Sequence, residues 1–98
     1  MNIHFEGQVH RWVHNNSIYL VSVPLDLSTE IKEVTDGLTN GWGSLKVEAT
    51  LGPLTWRTSI FPDSKTGLFD LPLKAEVRKK NNIDEGSLVK VELEILGF

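Results

Sequence analysis

The chain has 98 residues and a formal charge of −3 at pH 7, which sets it as one domain able to bury only about 60 to 68% of its unfolded surface. It has no cysteine, which excludes a disulfide framework, a thiolate metal cage and a thiol nucleophile. The acidic balance disfavours long-range attraction to nucleic acid or anionic lipid, and with no membrane-length apolar run and no signal-peptide start, a soluble cytoplasmic protein is expected.

In chain order, Ile3, Phe5, Val9 and Val13 alternate with polar neighbours, the period of a half-buried strand. Asn15-Asn16 tolerate left-handed backbone, so a tight reversal there returns the chain through Ser17 to Val23. Pro24 cannot donate to a ladder and ends that strand. A helix should follow, capped by Ser28 or Asp26, with Leu27, Ile31 and Val34 towards the core and Asp36-Gly37 at its end. After a loop from Leu38 to Trp42, Leu45, Val47, Ala49 and Leu51 alternate with Lys46, Glu48 and Thr50. Gly52-Pro53 then turns the chain back into Thr55 to Phe61. Pro62 to Gly67 reads as a polar loop leading to a short strand ending at Leu71. A helix with Leu73 and Val77 on one side and a last strand with Val89, Val91, Leu93 and Ile95 inward complete the chain.

This order says nearly the same thing twice. Ile18 to Pro24, a charged helix and Gly43-Ser44 opening a strand are echoed by Leu68 to Pro72, a second charged helix and Gly86-Ser87. Matching Val23-Pro24 to Leu71-Pro72 and Gly43-Ser44 to Gly86-Ser87 predicts two pseudo-symmetric strand-helix-strand repeats. The expected fold is all-β: a small barrel in a single domain over 1–98, capped by two short helices, because closure removes the edges of such short strands.

The segments Gly41-Trp42-Gly43-Ser44-Leu45-Lys46-Val47, Trp56-Arg57-Thr58-Ser59-Ile60-Phe61-Pro62-Asp63 and Leu71-Pro72-Leu73-Lys74-Ala75-Glu76-Val77-Arg78-Lys79 resemble the bacterial family catalogued as domain of unknown function 1905. The resemblance spans essentially the whole chain and implies a double-split β-barrel, with no established activity. Phe69-Asp70 stands where the family often has tyrosine before its Leu-Pro, and Ser87 where an acidic residue is usual. A shorter likeness, from Leu71-Pro72 through Arg78 to Val91, is to AbrB-type swapped-hairpin proteins, which include transcription regulators and antitoxins.

The strongest functional candidates are the cations Arg57, Lys65, Lys74, Arg78, Lys79 and Lys80 with Trp42 and Trp56. Guanidinium forks hold carboxylate or phosphate at two points, and aromatic faces stack planar groups. The competing reading is that Trp56 fills the core and the charges form a solvated rim. Thr58, Ser59 and Asp63 add polar groups expected at the same end. The expected ligand-binding set is therefore Trp42, Trp56, Arg57, Lys74 and Arg78, for a small anionic or planar ligand, in a binding or accessory module that is not an enzyme.

The alternative function is a nucleic-acid-binding regulator or antitoxin-like protein using Lys74, Arg78, Lys79 and Lys80 against phosphates. Glu76, Asp84, Glu85, Glu92 and Glu94 oppose it, and a chain holding both repeats needs no dimer to complete its barrel, so a monomer or weak homodimer is expected. His4, His10 and His14 share a parity on the first strand, which reads as a solvated face and not a metal site. Ser59 with a histidine and Asp63 has no spacing that makes a triad, and Gly41-Trp42-Gly43 lacks the third glycine and the following helix of a dinucleotide loop. No cofactor is implied.

Overall fold

The structure is a computed structural model, and it describes residues 1–36 and 43–97. Seven strands and two helices follow one another as β1 (Asn2–Gln8), β2 (His10–Trp12), β3 (Asn15–Ser22), α1 (Leu25–Val34), β4 (Leu45–Leu51), β5 (Leu54–Pro62), β6 (Phe69–Pro72), α2 (Ala75–Asn81) and β7 (Leu88–Ile95). The strands form one curled antiparallel sheet in the order β1-β7-β4-β5-β6-β3-β2. Its two ends, β1 and β2, are successive parts of one segment parted only by Val9. The sheet therefore returns on itself, as the small β-barrel expectation required.

Two long segments make the return, each by changing partners along its length. The N-terminal segment pairs with β7 through β1 and with β3 through β2. In the same way β5 pairs with β4 up to Ile60 and with β6 at Phe61 and Pro62. The repeat is thus wider than the sequence motifs: each copy also includes one partner-switching strand. Gly7 lies at the tight point of the first switch, where an added Cβ would come within 2.7 Å of Val21 Cγ2. Only glycine lets β1 lie this close to β3 without displacing a core side chain.

Alternation fills the interior. Ile3, Phe5, Val9, Val21, Leu45, Val47, Ala49, Ile60, Leu71, Val89, Val91, Leu93 and Ile95 are buried in one cluster, together with Ile31 and Val77 from the helices. The inward residues of β4 and β7 are those that the period of two selected.

Some local expectations fail. The reversal between β2 and β3 uses Val13-His14, with Trp12 paired to Asn15, so Asn15 and Asn16 begin the strand; Val13, expected inside, is 85% exposed. The ladder shifts register between Arg11 and Trp12, which moves the turn two residues early. Neither Ser28 nor Asp26 caps α1, because the helix begins directly after Pro24. Ser28 instead points inward from the first turn, and its hydroxyl donates to Val23 O at 2.9 Å. Val34, the last residue of α1, is half exposed, and Gly37 falls outside the described residues.

Candidate functional site

A concavity of about 460 Å³ opens where β3, β5 and the start of α2 meet, lined by Ser17, Ile18, Tyr19, Trp56, Arg57, Thr58, Pro72, Leu73, Lys74, Ala75 and Arg78. The topology assembles it from distant parts of the chain. Trp56 and Arg57 stand on β5 opposite Ala49 and Glu48 of β4. Lys74 is the residue before α2, and Arg78 lies one turn into the helix.

Arg78 is anchored at both ends of its guanidinium. Its Nε donates to Leu73 O at 3.1 Å, and its Cζ lies 3.9 Å from the centre of the Tyr19 ring. A guanidinium stacked on an aromatic face keeps its outer N–H groups free for a second partner. Arg57 is more loosely held, with Nε 3.7 Å from Glu48 Oε2 and its side chain 77% exposed. An exposed pair of this kind contributes little to stability and can be exchanged for another anion. Three cations line the concavity, and no carboxylate does so among the described residues.

Arg57, Lys74, Arg78 and Trp56 are thus brought to one place, whereas Trp42 lies outside the described residues. The rest of the basic set disperses. Lys65 borders a different hollow, and Lys79 and Lys80 stand exposed farther along α2. Thr58 joins the cationic concavity, Asp63 borders the other hollow, and Ser59 borders neither. Glu76, Glu92 and Glu94 are absent from the lining, although Glu76 shares α2 with Arg78, and Asp84 borders a neighbouring hollow with Arg78 and Lys79.

The histidines separate as well. His4 faces Glu92 at 3.8 Å, His10 Nε2 contacts Ser22 Oγ at 3.0 Å, and His14 stands edge-on to Trp12 with ring centres 5.0 Å apart. Among the described residues no group of three or more His, Asp or Glu side chains is placed to hold a metal ion.

Two features of the candidate sites were missed by the sequence reading. One is Tyr19, which carries Arg78 and also lies 4.9 Å from Arg11 Cζ. The other is Asp70, only 9% exposed in the middle of β6. The Ser22 hydroxyl donates to its Oδ1 at 2.6 Å. Burial raises the Asp70 carboxyl above its ordinary 3.8, opposed by the Ser22 hydrogen bond and the nearby His10 and reinforced by Asp63. A carboxylate between Phe69 and Leu71 was the available signal, since a charge in so short an apolar strand is costly unless it has a task. The chain Asp70-Ser22-His10 is not a nucleophile relay. Ser22 gives its proton to the carboxylate, so its lone pair takes the N–H of His10, the reverse of the transfer that would activate serine.

The family model described as domain of unknown function (DUF1905) matches residues 5–93. A comparison with curated proteins gave no match. The matched span takes in every strand from the middle of β1 to most of β7, both helices, and all the residues lining the cationic concavity. On this nearly full-length match, the chain belongs to the DUF1905 family.

Proposed function

We propose that the protein is a binding module whose concavity between β3, β5 and α2 takes a small anion carried on a flat group. The observation that carries this reading is the convergence of Arg57, Lys74 and Arg78 beside Trp56 and Tyr19, without a carboxylate among the described lining residues. Arg78 supplies a pre-oriented fork, because its stacking on Tyr19 and its bond to Leu73 O already restrict its rotamers. Lys74 and Arg57 add charge at the rim, and Trp56, half-buried against the core, leaves its remaining surface in the concavity for the planar part of the ligand. We read the role as recognition, which the three cations and two aromatic rings among the described lining residues support.

The test is thermal unfolding in the presence of inorganic phosphate or sulfate. The parent protein gains melting temperature, and the gain shrinks as sodium chloride competes for the cations. Arg57→Ala and Lys74→Ala lose part of the gain, and Arg78→Lys, which keeps the charge but not the fork, loses most of it. Equal gains in the parent and all three variants would reduce the cluster to a solvated rim.

A further inference from the structure

A second hollow lies on the outer side of the same sheet, sharing only Ile18 and Pro72 with the cationic one. It has a volume of about 540 Å³ and is bordered by the face of β3 and β6, the β2–β3 turn and the segment from Phe61 to Lys65. Its walls are unusually apolar for an exterior surface. Trp12, 39% exposed, Phe61, 48% exposed, and Val13 are large apolar side chains turned to solvent, and all three border this hollow. Set into these walls is Asp70, a residue only 9% exposed.

The polar groups define what such a hollow accepts. Asp70 Oδ1 is taken by the Ser22 hydroxyl, and Oδ2 receives no hydrogen bond from the described residues. With one donor from the protein, the carboxylate keeps lone pairs open to the hollow that its residue borders, where a ligand can take the place of water. Asp63 also borders the hollow, with its Oδ1 occupied by the Lys65 backbone N–H at 2.8 Å. Two carboxylates against one lysine repel an anion. A hard metal ion needs about six oxygen ligands or more, which this lining lacks. A single charged donor of small size meets the need of Oδ2, and the apolar walls call for a hydrocarbon body behind it.

We propose that this hollow binds an organic amine, its ammonium group on Asp70 Oδ2 and its flat apolar body against Trp12 and Phe61. The site is separate from the anion site, since Arg57, Lys74 and Arg78 do not line it. Binding is linked to protons. Burial makes Asp70 hold its proton to higher pH than an exposed carboxyl, and the ammonium binds the ionised form, so affinity rises as Asp70 ionises. The charged and titratable groups around it are His10 on β2, Asp63 and Lys65 after β5, and His14 across the hollow, with the Ser22 hydroxyl from β3.

The experiment is an amide and indole NMR titration of the whole chain with phenethylamine, and in parallel with phenethyl alcohol and phenylacetate. The expected result is that phenethylamine shifts the Trp12 indole and the amides around Asp70, binding about tenfold or more tighter than the alcohol. Phenylacetate does not compete with it. Asp70→Asn, nearly isosteric and still able to accept from Ser22, abolishes the preference for amine over alcohol while leaving the response to inorganic phosphate intact. Should that variant fail to fold, Trp12→Ala and the rise of amine affinity with pH in the parent carry the same test.

Equal binding of amine and alcohol, shifts outside this hollow, or an unchanged preference in a folded Asp70→Asn variant would overturn the proposal. So would a concentration-dependent dimer in which Trp12 and Phe61 are covered and the amine is excluded. Loss of the phosphate response with amine binding retained would strike only the anion site.

Discussion

The two copies of the repeat use one position in opposite ways. Val23 N–H donates to Phe69 O, and Leu73 N–H donates to Tyr19 O, both at 2.8 to 2.9 Å. These bonds exchange under a single shift of numbering that places Val23 on Leu73, Tyr19 on Phe69 and Ser28 on Arg78. The same shift places Pro24 on Lys74, the residues immediately before α1 and α2. In the first copy Ser28 donates to Val23 O and accepts from Phe69 N–H, a buried post between helix and strand. In the second, Arg78 donates to Leu73 O and stacks on Tyr19. The inner part of the bond is kept while the side chain grows outward into a charged fork. The proposed site thus rests on a longer side chain at a position whose geometry both copies share.

The second helix is also tied down at its other end. Asn82 takes a left-handed conformation, and Ile83 N–H returns to Arg78 O, closing the helix in a Schellman turn. Asn81 Nδ2 reaches Val77 O and Leu51 O, joining α2 to the β4–β5 hairpin. α1 is tied from its first turn instead, where the Ser28 hydroxyl donates to Val23 O and accepts from the Phe69 N–H of β6. The helix carrying Arg78 and following Lys74 is thus held at both ends, as the proposed binding role requires.

The strongest challenge to this correspondence concerns the opposite end of the repeat. The sequence match of Gly43-Ser44 to Gly86-Ser87 pairs Leu45 with Leu88, yet Leu45 is 4% exposed and Leu88 is 70% exposed. Leu45→Ala should cost about 2 to 5 kcal/mol, and Leu88→Ala no more than about 0.5 kcal/mol. Denaturant midpoints measure both, and similar losses at the two positions would restore the sequence match. Next in size, Ser28→Ala leaves the Val23 carbonyl and the Phe69 N–H without this hydroxyl and should cost about 1 to 3 kcal/mol.

Arg78→Ala sharpens the contrast because its structural and functional effects separate. Stability should fall by about 1 kcal/mol, as stacking on Tyr19 and the bond to Leu73 O are lost. The phosphate-dependent gain in melting temperature should disappear, whereas Ser28→Ala should keep it. An anion response equally weakened in both variants would show that Arg78 acts through the fold alone.

The smallest change is expected in the pH dependence set by Asp70. Its carboxyl is raised in the folded protein above 3.8, so the folded state holds the proton more tightly than the unfolded chain. The resulting stability is fully present below 3.8 and is lost as pH rises through the folded-state value. Asp70→Asn should remove this loss, and its melting temperature relative to the parent should rise with pH across that window. A constant difference from pH 3 to pH 7 would mean that burial does not govern this carboxyl.

Residue chemistry alone determined the strand content, the two helices after Pro24 and Pro72, and the inward faces of β4 and β7. Alternation is a local property, and a slip by one residue would bury Lys46 and Lys90. Sequence also indicated that Arg57, Lys74, Arg78 and Trp56 belong together, since each falls near the end of a strand or the start of a helix. It did not determine how the two copies superpose. Pro24 and Pro72 look equivalent as letters, but Pro24 directly precedes a helix and Pro72 pairs with Leu20 at the end of a strand. Backbone pairing, not residue identity, fixes equivalence in a folded repeat. Only the tertiary structure put Tyr19 beneath Arg78, separated Lys65 from the other cations, and buried Asp70 beside Ser22. Those contacts join residues up to 59 positions apart in sequence, as Tyr19 and Arg78 are, and nothing in a local pattern specifies which elements a returning sheet will bring together.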